Sequence, residues 1–110
     1  MSKAVHVQKG EILDYTNPGE TTIGYLDIVP FATQIGVALE EIAPGATGSV
    51  SMEGVYEASS VNDAAFVAGD LLYWDAAASK LTKTAEANTP AGVAFGAKAL
   101  AGAVALVKIG

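Results

Sequence analysis

The chain has no cysteine, no arginine and one histidine, His6. Lack of cysteine excludes a disulfide framework, a thiolate nucleophile and a zinc–sulfur site. Lack of arginine removes the bidentate clamp for phosphate or carboxylate. Charge is scarce too, at 16% of 110 residues, against a usual ~25%. Six lysines face twelve acids for a net charge of −6, which argues against the basic face that a nucleic-acid binder needs. Apolar runs are short. Ala99–Val107 is nine residues long, where a membrane-spanning helix takes about 20, so no membrane segment is predicted. Met1–Gly10 has no signal-peptide core. Neither Gly-x-x-x-x-Gly-Lys-Ser/Thr nor Gly-x-Gly-x-x-Gly occurs, which disfavours a nucleotide enzyme.

Small residues fill the space that charge leaves. Alanine and glycine supply 33 of 110 residues, while Val, Ile, Leu and Phe still supply 28, enough for a folded core. Turn signals recur at short intervals: Asn17-Pro18-Gly19, Ala43-Pro44-Gly45, Ala68-Gly69-Asp70 and Asn88-Thr89-Pro90. Between them lie β-type runs at 4–8, 21–29, 34–39, 49–57, 71–74, 80–84, 92–95 and 104–109. This spacing predicts an all-β fold, a small barrel or sandwich. Residues 60–66 fit one helical turn capped by Ser60 or Asn62. Ile35-Gly36-Val37-Ala38-Leu39 resembles Ala91-Gly92-Val93-Ala94-Phe95, and Tyr25-Leu26-Asp27 echoes Tyr73-Trp74-Asp75. The pattern predicts two similar β units, about 21–54 and 70–110, within one domain at 19–110. Residues 1–18 fall outside it and read as an extended N-terminal arm. Its Val5, Val7, Ile12, Leu13 and Tyr15 give it enough apolar surface to want a partner, and are its candidate interface residues.

The titratable residues assemble no chemistry. His6 sits between two valines and has no partner nucleophile. Glu40 and Glu41 are adjacent and point to opposite sides of a strand. Asp70 and Asp75 bracket Leu71–Trp74 as turn residues. Tyr73 and Trp74 suggest a sugar-stacking platform, although neighbours on a strand face opposite ways, which makes one of them core. The expected core is Tyr25, Val37, Tyr73, Trp74, Val93 and Phe95. Residues 1–75 carry a net −9 and residues 76–110 a net +3, a polarity that suits complementary partners or symmetry mates.

Residues 66–75 (FVAGDLLYWD), with Lys80–Thr84, Asn88, Ala91–Ala94 and the strand 103–109, resemble a family of small phage head proteins, the capsid cement or head-decoration type. Ile35–Ala38, Pro44-Gly45 and Glu53–Tyr56 resemble its first half, so the resemblance covers residues 20–110. Some relatives carry a recombinase-type ATPase label, which the missing P-loop rules out here. The resemblance implies a structural virion protein that binds the outer surface of the assembled capsid and stabilises it. It implies the major capsid protein as partner, self-association with a trimer foremost, no catalysis and no cofactor. It further implies synthesis in the bacterial host cytoplasm. The alternative is a carbohydrate or cell-surface binding module on the virion, using Tyr73 and Trp74.

Overall fold

Turn residues cut the chain into short extended segments, and the computed structural model, which describes residues 3–6, 8 and 10–110, contains nine β-strands and no α-helix among them. They are β1 (Ile12–Thr16), β2 (Ile28–Pro30), β3 (Ile35–Ala38), β4 (Thr47–Ser51), β5 (Gly54–Ser59), β6 (Leu71–Asp75), β7 (Lys80–Thr82), β8 (Thr89–Ala94) and β9 (Val104–Ile109). All pair antiparallel within two sheets, ordered β1-β4-β3-β2 and β5-β9-β8-β6-β7. The fold is sandwich-like. Neither sheet closes into a barrel, although a parallel bridge between Ser60 and Leu81 draws the ends of the second sheet together.

One pairing plan serves both sheets. Val37 opposes Ser51 and Ala38 opposes Val50 in the first. Val93 opposes Lys108 and Ala94 opposes Val107 in the second. Outside β4 runs β1, with Ile12 opposite Ser51. Outside β9 runs β5, with Val55 opposite Lys108. The loops match as well: Ile23 bridges Ile42, and Phe66 bridges Lys98. Asp27 caps the Gly24 amide at 2.7 Å, and Asp70 caps the Val67 amide at 2.9 Å. Each of these turns needs a left-handed residue, Leu26 (φ 68°) in one and Gly69 (φ 91°) in the other. Tyr25-Leu26-Asp27 therefore corresponds to Ala68-Gly69-Asp70 and not to Tyr73-Trp74-Asp75. The hairpin strand β7 is extra to the second sheet.

The core has two compartments. Val29, Ala38, Ile42 and Val50 pack on the far face of the first sheet under Tyr15, Ile23, Phe31 and Met52. Tyr15 meets Phe31 edge-to-face, with centroids 5.4 Å apart. The other face of that sheet, Ile28, Ile35 and Val37, packs on the inner face of the second: Phe66, Leu72, Leu81, Ala94, Ala105, Val107 and Ile109. Alanine at 91, 94 and 105 lets the two layers approach.

Several expectations need correction. Residues 49–57 are not one strand. The chain leaves β4 at Ser51 and enters the other sheet at Gly54, whose φ of 131° only glycine takes readily. Val50 and Tyr56 thus belong to different compartments. Residues 60–66 form no helical turn, because Ser60 is tied into the bridge with Leu81. Of 21–29 only Ile28 and Val29 are strand. Tyr25 is 66% exposed and Phe95 55% exposed, so neither is core. Tyr25 sits in the Asp27-capped turn, and Phe95 follows Val93 onto the outward side of β8. Val37 is buried, and Tyr73, Trp74 and Val93 are half-buried. Residues 12–16 of the expected arm form an edge strand, and Asn17 is buried, its side chain donating to the carbonyls of Thr21 (2.8 Å) and Ile42 (3.0 Å).

Candidate interaction surfaces

Strand alternation decides what the second sheet shows to solvent. Ala105, Val107 and Ile109 point inward, so Val104, Leu106 and Lys108 point out. Register then places Val55 and Glu57 beside them on β5, Val93 on β8 and Leu71 on β6. Phe95 joins them, because its amide donates to the Leu106 carbonyl at 3.0 Å. Leu71 is 66% exposed, and Phe95, Val104, Val55 and Leu106 are exposed as well. This is a contiguous apolar sheet face crossed by one lysine and one glutamate. Its counterpart on the first sheet, Ile28 and Val37, is covered within the chain by the second sheet. The sequence does signal this face: in Val104–Ile109 the inward phase is apolar and so is the outward phase apart from Lys108, close to the pattern of a strand covered on two sides.

A groove of about 620 Å³ opens between the sheets. Ile28, Pro30, Ile35 and Val37 form one wall, Tyr56, Ala58, Trp74, Val107 and Ile109 the other. Asp27 and Glu57 are among the residues that line it. Two edge strands flank it: β2, which pairs only with β3, and β5, which pairs only with β9.

The aromatic pair forms no platform. Trp74 opposes Leu81 and packs on the core, while Tyr73 opposes Thr82 on the other face of β6. Of the expected interface residues, Val5 is 82% exposed and Ile12 and Leu13 are partly exposed at the sheet edge. Tyr15 is half-buried under Phe31, and Val7 lies outside the described residues.

Two charged residues serve the loops. The Asp70 carboxyl is held below its ordinary value of 3.8, first by the Val67 amide, against desolvation as the next largest effect, with Lys83, 3.3 Å away, lowering it further. Lys98 is buried, with its Nζ donating to the carbonyls of Val61 (2.9 Å), Ala99 (3.0 Å) and Gly102 (3.0 Å). The same ammonium lies 4.8 Å from the centre of the Phe66 ring. Sequence reading missed Lys98, since a lysine in an Ala/Gly loop gives no sign of burial. Among the described residues no group of three or more His, Asp or Glu side chains is placed to hold a metal ion.

Fold and surface together define a small all-β protein built as a two-sheet sandwich with an open apolar sheet face. Comparison with protein families makes this specific. The model of the phage cement protein family matches residues 7–109, and the chain belongs to that family. Its role is structural, in stabilising the phage capsid as a part of the virion. No curated protein and no solved structure matches the chain.

Proposed function

We propose that the protein binds the outer surface of the assembled phage capsid, with the major capsid protein as partner, and braces it by contact rather than by catalysis or a bound cofactor. The observation that carries this reading is the apolar outer face of the second sheet, left uncovered by the chain itself. Exposed apolar patches of this kind mark interaction sites. A cement protein that spans neighbouring coat subunits finds its complete site only after assembly. Its binding free energy then adds to the stability of the shell by mass action. Self-association, as a trimer, multiplies modest contacts over a symmetric lattice. The residues before Glu11 act as the arm, with Val5, Val7 and the edge residues Ile12, Leu13 and Tyr15 toward a neighbouring subunit. The two sheets are copies of one unit, about 11–53 and 54–110, which shifts the boundaries read from sequence. Synthesis takes place in the bacterial host cytoplasm.

Sedimentation tests the reading. The protein should pellet with assembled, expanded capsids and stay in solution with free coat subunits, and decorated capsids should withstand heat better than bare ones. Equal binding to unassembled coat protein would overturn it.

A further inference from the structure

We infer that the groove between the sheets is an acceptor site for an extended apolar strand, and that its occupant is the N-terminal segment of a second copy of this chain. The inference rests on the self-association in the reading above and names the site through which it occurs. Two incomplete features of the molecule fit each other. Ala4–Gln8 alternates imperfectly in the manner of a strand, yet, among the described residues, 3–6 belong to no strand or bridge and Val5 is 82% exposed. The groove is walled by apolar side chains and bordered by two edge strands: β2, which pairs on one side only, and β5, whose C-terminal end is drawn to β7 by the Ser60–Leu81 bridge. At about 620 Å³ it falls within the ~300–1,000 Å³ of typical ligand pockets and accommodates a few residues of chain. An inserted strand would add to an open edge through main-chain hydrogen bonds and place alternate side chains against Ile28, Tyr56 and Trp74.

Charge points the same way. Residues 1–10 carry Lys3 and Lys9 and no acid. The residues lining the groove include Asp27 and Glu57 and no lysine. The segment leaves its own chain from β1, at the edge of the first sheet opposite to β2, about 14 Å away across three strand spacings. Seating one copy's segment in the next copy's groove is a head-to-tail contact, which closes into a ring when the rotation allows.

The test needs no capsids. Val5→Glu/Val7→Glu in the full chain changes the N-terminal segment ahead of the first strand. A chain beginning at Glu11 keeps all nine strands and every buried core residue. Light scattering should find the unaltered chain associated and both variants monomeric, each variant keeping the β-type circular dichroism of the parent and melting below it by the stabilisation that association supplies. A peptide of residues 1–10, added to the shortened chain, should saturably shift the emission of Trp74, the sole tryptophan and a wall of the groove. Asp27→Asn/Glu57→Gln removes both charges, keeps an acceptor for the Gly24 amide, and should weaken that peptide several-fold. An unchanged oligomeric state in both variants would overturn the inference, as would a peptide that leaves Trp74 emission unmoved. Peptide binding to the shortened chain alongside a monomeric full chain would assign the groove to the chain's own segment and equally overturn it. Loss of capsid binding with these results intact would reject the outer-face reading alone.

Discussion

Lys98 stands where the first sheet has Ile42, since each forms the bridge that ties its loop down. A lysine without an acid partner is unusual inside a protein. Here the ammonium offers three protons to the carbonyls of Val61, Ala99 and Gly102, and so ties the loop before β9 to the loop after β5. Lys98→Met keeps the volume and removes the donors. The stranded carbonyls should cost about 2 kcal/mol in urea unfolding, and an unchanged midpoint would show that water replaces the amine at no cost. Asp70 contributes to the acid limb. Its folded value lies below the ordinary 3.8, so its contribution is present above that pH and is lost as pH falls through the lower folded value. Asp70→Asn retains an acceptor for the Val67 amide and abolishes the titration. Melting temperature measured from pH 6 down to pH 2 should fall less steeply in the variant, and parallel curves would assign the acid loss elsewhere. The turn role of Asp70 was legible, because Gly-Asp at a strand start is a local signal. The cage around Lys98 was not, because its acceptors come from residues 61, 99 and 102.

Among the elements, the β8–β9 pair shows how a single glycine sets packing. Gly92 has φ 153°, and a Cβ there would run into the carbonyl oxygen of Lys108 on the neighbouring strand. Gly92→Ala should cost at least about 3 kcal/mol or prevent folding. Gly96→Ala adds a Cβ with nothing within 4 Å and should stay within about 0.5 kcal/mol of the parent. Comparable melting temperatures for the two would mean that the strands separate locally without loss. Most strands were legible from turn chemistry: β3, β6, β7, β8 and β9 fall on their expected segments to within a few residues. The segment 49–57 misled because Ser49–Glu57 alternates without interruption. The break at Met52-Glu53 exists because Gly54 turns the chain toward the other sheet, a choice with no local hydrophobic signature. Tyr25 and Phe95 misled for a related reason: an aromatic beside a strand reads as core until register fixes its face.

For the whole molecule, the open face of the second sheet is the feature with consequences. Leu106→Glu and Phe95→Ser change outward side chains, so each should shift stability by less than about 1 kcal/mol. Either should weaken capsid decoration by at least about tenfold in co-sedimentation. Undiminished decoration by both would move the capsid contact to another surface. The sequence by itself determined the class of fold, the family and the absence of thiol, arginine-clamp and P-loop chemistry. Those follow from residue types, from turns three or four residues long, and from the order of short motifs along the chain. The tertiary structure alone decided which apolar face is covered. Ile28 and Leu71 hold equivalent places in the two sheets and look alike in sequence, yet one is packed against the neighbouring sheet and the other faces solvent. The difference arises because two units stacked face to back bury one such face and leave the other at the end of the stack. That asymmetry lies in how the sheets meet and in no local pattern of residues.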